Sequence, residues 1–318
     1  MECLHDRFVG IGIQARGAAM ESDGSICIDY SEYEHWSYEK FARFVNNMLL
    51  RRDTYLHTFK LRFEGHHPIN FKDVRTWIGY AVKHNVKVLD VDLDRYDKTI
   101  LPRCIFTCPS LQELNLSMGE APYDDLEHEG LLLPDIIKLP SLKKLTLCDV
   151  EVHSIDLEHM IRRSPVLEDL HFVNCAHHLE LVESNMLKRL TIDGFFDRGK
   201  GLTIAAPHLI HFECNGWPLE EISWQKRPSL ESAHIDTWCS KRTFDGQYDL
   251  TGMVLHAKRL ALCGSDIKVC LTKDKFLYFI VAINIVNGNL GVLFCMLLYL
   301  VCKAFAQFSC LVASLVFN

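Results

Sequence analysis

The chain has 318 residues, 48% of them hydrophobic, and carries a formal net charge of −7 at pH 7. Its 34 basic residues are outnumbered by 41 acidic ones. The part up to Lys275 is more acidic still, because the one charge beyond it, Lys303, is basic. No basic face is therefore available for a phosphate backbone, and nucleic acid is excluded as the expected partner. Thirteen cysteines include no C-x-x-C pair. That pattern predicts reduced thiols in a cytosolic or nuclear protein rather than a disulfide framework.

In chain order, Met1–Asp6 is polar and Arg16 interrupts Phe8–Met20, so no signal peptide is expected. Residues 1–33 show no usable period and are expected to be irregular. Residues 34–52 read as an amphipathic helix with Phe41, Phe44, Val45, Met48 and Leu49 on one face. It stands directly before a repeat array, whose open end needs a cover, and is read as the N-terminal cap. A second helix is predicted over 72–84, with Val74, Trp77, Ile78, Ala81 and Val82 inward and Asn70 as its cap. A third is predicted over 155–163, with Leu157, Met160 and Ile161 inward and Ser154 as its N-cap.

One apolar spacing, L-x-x-L-x-L, recurs nine times. It reads Leu56–Phe59–Leu61, Val86–Leu89–Val91, Leu111–Leu114–Leu116, Leu142–Leu145–Leu147 and Leu167–Leu170–Phe172. It continues as Leu187–Leu190–Ile192, Leu209–Phe212–Cys214, Leu230–Ala233–Ile235 and Ala257–Leu260–Leu262. First anchors stand roughly 20–30 residues apart, which is the signature and the period of leucine-rich repeats. Each such unit gives one short strand and a return segment. Pro109, Pro140, Pro165, Pro207 and Pro228 each stand two residues before a first anchor. Proline there fixes φ and is expected to end the preceding helix without costing a ladder hydrogen bond. The fold class is therefore α/β: a leucine-rich-repeat solenoid of about nine units over 34–275, with an N-terminal helical cap. The stretch between Leu116 and Leu133 holds Glu120, Asp124, Asp125, Glu127 and Glu129 and is expected to be a solvated acidic loop.

The stretches Trp77–Leu93, Leu101–Leu116, Leu139–Val150, Ser164–Cys175, Ala206–Leu209 and His256–Gly264 resemble, in order, the repeat region of plant F-box/LRR/FBD proteins. The resemblance covers about residues 37–275. It implies that the repeats select a protein for ubiquitination by a cullin-RING ligase. In that family an N-terminal F-box docks on the Skp-type adaptor, and an FBD segment often closes the C-terminus. Residues 1–36 contain no proline and nothing of F-box form, and no FBD segment follows residue 275. Adaptor docking by this chain is therefore not expected.

Residues flanking the last two anchors of each strand point to the concave face. They give a candidate binding face of Asp90, Glu113, Asn115, Lys144, Asp169, His171, Arg189, His211, Glu213, His234 and Asp236, for an unknown target protein. His171, His211 and His234 are expected in one column of that face, open to a metal or acid–base reading. Their separation by whole repeats favours an ordinary mixed polar face. His66–His67 and His177–His178 read as turns. No phosphate loop, nucleophile elbow or zinc-protease motif occurs, so no enzyme, cofactor or metal is expected.

Residues 276–318 form a hydrophobic tail in which Lys303 is the one charge, and the run Phe276–Cys302 holds none. As a helix that run would exceed the roughly 30 Å hydrocarbon core. Two readings stand side by side. In one it is a membrane anchor behind Lys268, Lys273 and Lys275, with the repeats facing the cytosol. In the other it is translated sequence foreign to the family, and the protein is cytoplasmic or nuclear.

Overall fold

The computed structural model describes residues 24–33, 35–52, 55–63, 69–93, 100–119, 131–150, 152–175, 179–194, 202–216, 222–225, 228–237, 257–264, 268–272 and 280–282. The chain divides into two compact units, Met1–Leu142 and Lys143–Asn318.

The first unit is built on four parallel strands, β1 (Ser25–Asp29), β2 (Thr58–Phe63), β3 (Val88–Leu93) and β4 (Glu113–Met118), paired in chain order. Strand β1 lies inside the stretch expected to be irregular. Its alternation is short, and only Ile26 and Ile28 are buried, so it carries too little signal to be found without its neighbour β2. A 3₁₀ turn, Tyr30–Tyr33, then leads into helix α1 (Tyr38–Leu50). The helix starts later than the periodicity implied, because Ser37 is its cap and accepts a hydrogen bond from the Lys40 N–H. Its buried stripe is Phe41, Ala42, Val45 and Leu49, while Phe44 and Met48 are half-buried. Helix α2 (Phe71–Lys83) buries Val74, Trp77, Ile78 and Ala81, all on a single face. Asn70 caps it through the Lys72 N–H. Trp77 is fully buried, stacks on Phe63 at 6.2 Å, and donates its indole N–H to Asn46 Oδ1 at 2.7 Å. That bond ties α2 to α1.

The second unit continues the motif with β5 (Lys144–Cys148), helix α3 (Ser154–Arg162), β6 (Asp169–Val173), β7 (Leu181–Glu183), β8 (Arg189–Gly194), β9 (Leu202–Ala205), β10 (His211–Gly216), β11 (Ile222–Trp224), β12 (Ser232–Thr237), β13 (Arg259–Gly264), β14 (Lys268–Thr272) and β15 (Ile280–Ala282). The parallel order is β5-β6-β8-β10-β12-β13, and β14 and β15 add antiparallel. Helix α3 begins after His153, not Ser154. No side chain caps it, because Ser154 is already its first residue. Leu157, Met160 and Ile161 are buried as expected.

The nine repeat strands, β2–β6, β8, β10, β12 and β13, all fall on the sequence anchors. The anchors are the core: Leu89, Leu145, Leu170 and Leu187 are each fully buried. The prolines play a different part from ending helices. Leu142, Leu167 and Leu209 donate their N–H groups to the carbonyls of Leu139, Ser164 and Ala206. These are turns that place Pro140, Pro165 and Pro207 second, the position whose φ the proline ring already holds.

The return segments β7, β9 and β11 were not expected as strands. They pair in parallel as a second sheet of order β11-β9-β7. They belong to the repeats between Leu167 and Leu230, whose first anchors stand closest together in the sequence. A helix rises only about 1.5 Å per residue, against about 3.3 Å for a strand, so a short return spans the repeat only when extended.

The acidic stretch 120–130 and both His–His pairs lie outside the described residues. So does most of the hydrophobic tail. Within that tail Ile280–Ala282 is strand β15, so a helix running unbroken over 276–302 is not what forms there. No helix among the described residues is long and apolar enough to cross a membrane.

Candidate functional site

A parallel ladder fixes which side chains stand side by side, because its period of two sends alternate residues to opposite faces. In the second unit the anchors take one face and three rows take the other. The first row is Lys144, Asp169, Arg189, His211, Ser232 and Arg259. The second is Thr146, His171, Thr191, Glu213, His234 and Ala261. The third begins Cys148, Val173, Asp193 and Asn215, with Asp236 at the next register position.

This register corrects the expected histidine column. His171 and His234 share the second row, but His211 lies in the first, opposite Arg189 and Ser232. His211 is two residues from Glu213, so it faces the same side one row over. The three imidazoles are not gathered, and no group of three or more His, Cys, Asp or Glu side chains among the described residues could hold a metal ion.

Within the first row, the Arg189 guanidinium grips Asp169 with both Nε and Nη2, a fork across two neighbouring strands. The fork raises the already high pKa of Arg189. His211 Nδ1 lies 2.7 Å from Ser232 Oγ, again between neighbours. In the second row, half-buried His171 has its pKa pushed down, first by burial and then by the cation of Lys144. Asn215 donates to Glu213 Oε1 at 3.1 Å. On the rim, Lys188 holds Glu168 at 3.0 Å and lowers its pKa. These contacts are ionic or polar, half-exposed and mostly bridged from strand to strand. Their character suits them to reading polar groups on another surface.

The third row ends in a turn that sets the edge of the face. Asp149 and Asn174 both have φ of 54°, and Gly194 and Gly216 have φ of 129° and 119°. Their positions follow Cys148, Val173, Asp193 and Asn215 in register. Asn174 Nδ2 donates to Asp149 Oδ1 at 2.8 Å. A Cβ on Gly216 would meet the Gly194 carbonyl oxygen at 1.9 Å, so only glycine fits there.

In the first unit the corresponding rows are shorter. Lys60, Asp90 and Asn115 align across β2, β3 and β4, with Lys60 Nζ 4.0 Å from Asp90. Glu113 lies one row over, beside Val88. The expected site residues of this unit, Asp90, Glu113 and Asn115, thus share one face. This unit also holds an open groove of about 600 Å³ between α1 and α2. Among its polar groups, Tyr38 donates to Asp73 Oδ2 at 3.0 Å, Asn46 accepts from the Trp77 indole, and Asn70 accepts from the Lys72 N–H.

The cysteines divide by environment. Cys175 and Cys214 are buried, and burial raises both thiol pKa values to about 12, so neither is a nucleophile. Cys148 is half-buried in the third row rather than in the core.

The family model described as the LRR repeats of FBD-associated F-box protein At5g56370 matches residues 74–267. The chain belongs to this F-box LRR-repeat family. Putative F-box protein At1g58310 of Arabidopsis thaliana is 26% identical over 245 residues, which cover 72% of this chain and 46% of the relative. FBD-associated F-box protein At5g38590 of the same plant is 30% identical over 185 residues, covering 57% of this chain and 38% of the relative. Putative FBD-associated F-box protein At5g56560, also of Arabidopsis thaliana, is 26% identical over 250 residues, covering 75% and 55%. The chain thus spans about half the length, or less, of these curated relatives. No solved structure matches it. The family model covers β3 to β13 and so contains all eight expected site residues of the second unit.

Proposed function

We propose that the chain is a protein-recognition module and that the three-row strand face of the second unit carries the recognition. By likeness to its F-box relatives, the bound protein is a substrate for a ubiquitin ligase. The observation that supports this is the register: Lys144, Asp169, His171, Arg189, His211, Glu213 and His234 form one continuous polar surface on five neighbouring strands, opposite a fully apolar one. Such a face is rigid because the anchors behind it are buried, and polar complementarity across it gives specificity more than raw affinity.

The test is site-specific photocrosslinking. A crosslinking amino acid at Thr191, in the middle row, is compared with one at Thr203, on the second sheet and bonded to Ser223. In plant extract, Thr191 is expected to trap a discrete protein that is lost when Arg189→Ala is added. Trapping from Thr203 alone would refute the assignment of the face.

A further inference from the structure

No further inference is drawn: the strongest candidate, the aromatic end of the first unit where the buried Tyr33 hydroxyl has no hydrogen-bond partner among the described residues beside half-buried Trp36 and Phe44, is an apolar face with nothing in the structure to show what covers it.

Discussion

Two kinds of repeat stand in this chain, and they hold together by different means. The repeat between β2 and β3 returns through helix α2, which supplies four side chains to the core and is tied to α1 by the Trp77 indole and Tyr38 hydroxyl hydrogen bonds and by side-chain packing. The repeats from β6 to β12 return through β7, β9 and β11, each of which supplies fewer core side chains: Val182 from β7, Leu202, Ile204 and Ala205 from β9, and Ile222 from β11. Those strands are instead joined to one another by backbone hydrogen bonds. The helix-backed repeat has one backbone ladder and a large packed wedge. The strand-backed repeats have two ladders with a thinner core between them. Repeat length selects between the two solutions, and the polar face sits mainly on the second.

This contrast predicts where single changes hurt most. Trp77→Ala removes the largest buried side chain of the wedge and leaves the half-buried Asn46 amide without its donor. It should cost about 3–5 kcal/mol, read as a lower denaturation midpoint. An unchanged midpoint would mean that α2 does not carry the first unit. Leu170→Ala, at the anchor of β6, should cost about 2–5 kcal/mol, felt mainly by adjacent repeats. A melting curve unaltered by that change would show the repeat phase to be wrong.

Glycines sharpen the comparison. Gly216→Ala drives a Cβ into the Gly194 carbonyl at a φ of 119°, so the strand ends must separate, at roughly 1–3 kcal/mol. Gly79→Ala, within α2, meets nothing within 4 Å. It should stabilise by about 0.5–1 kcal/mol, because alanine loses less backbone freedom in a helix. Equal effects at the two positions would erase the distinction between the strand turns and the helix.

The smallest effects belong to the polar face. Asp169→Asn breaks the fork with half-exposed Arg189 and should cost only about 0.2–1 kcal/mol, while weakening any partner contact made by the freed guanidinium. His171 has a folded pKa below its unfolded value, since burial and Lys144 oppose its protonation. Its contribution is therefore fully present above the unfolded imidazole range. It is lost as pH falls from there through the folded pKa. His171→Gln should flatten that part of the stability–pH curve, and a curve unchanged by the substitution would show that His171 does not titrate under strain.

The strands were legible because each carries three apolar anchors at one fixed spacing, and the fixed offset of the prolines marked where each repeat strand is about to begin. Helix α2 was legible for a like reason: its apolar period and Asn70 cap agree. The return strands were not. Leu181–Glu183 and Ile222–Trp224 are three residues each, too short to display a period. Strand β1 failed on the same ground. The candidate residues share one side of the sheet because alternation follows from the anchors. The rows of the histidines were not legible from residue type, because His211 precedes its anchor Phe212 whereas His171 and His234 follow theirs, Leu170 and Ala233. Only by counting from the anchor, and not from the residue type, could that offset have been caught.

Hydrogen exchange on the full chain tests the two-ladder construction most directly. The Thr203 and Ser184 amides donate to Glu180 and Ala205 on the second sheet, at 2.8 and 3.2 Å, while the Arg189 and His211 amides donate to Glu168 and Lys188 on the first, both at 3.0 Å. The expected result is protection of the same order in both sets, rising and falling together with denaturant, because the two ladders open as one unit. Protection confined to Arg189 and His211, with Thr203 and Ser184 exchanging at the rate of an unstructured peptide, would contradict it and leave the polar face resting on a single sheet.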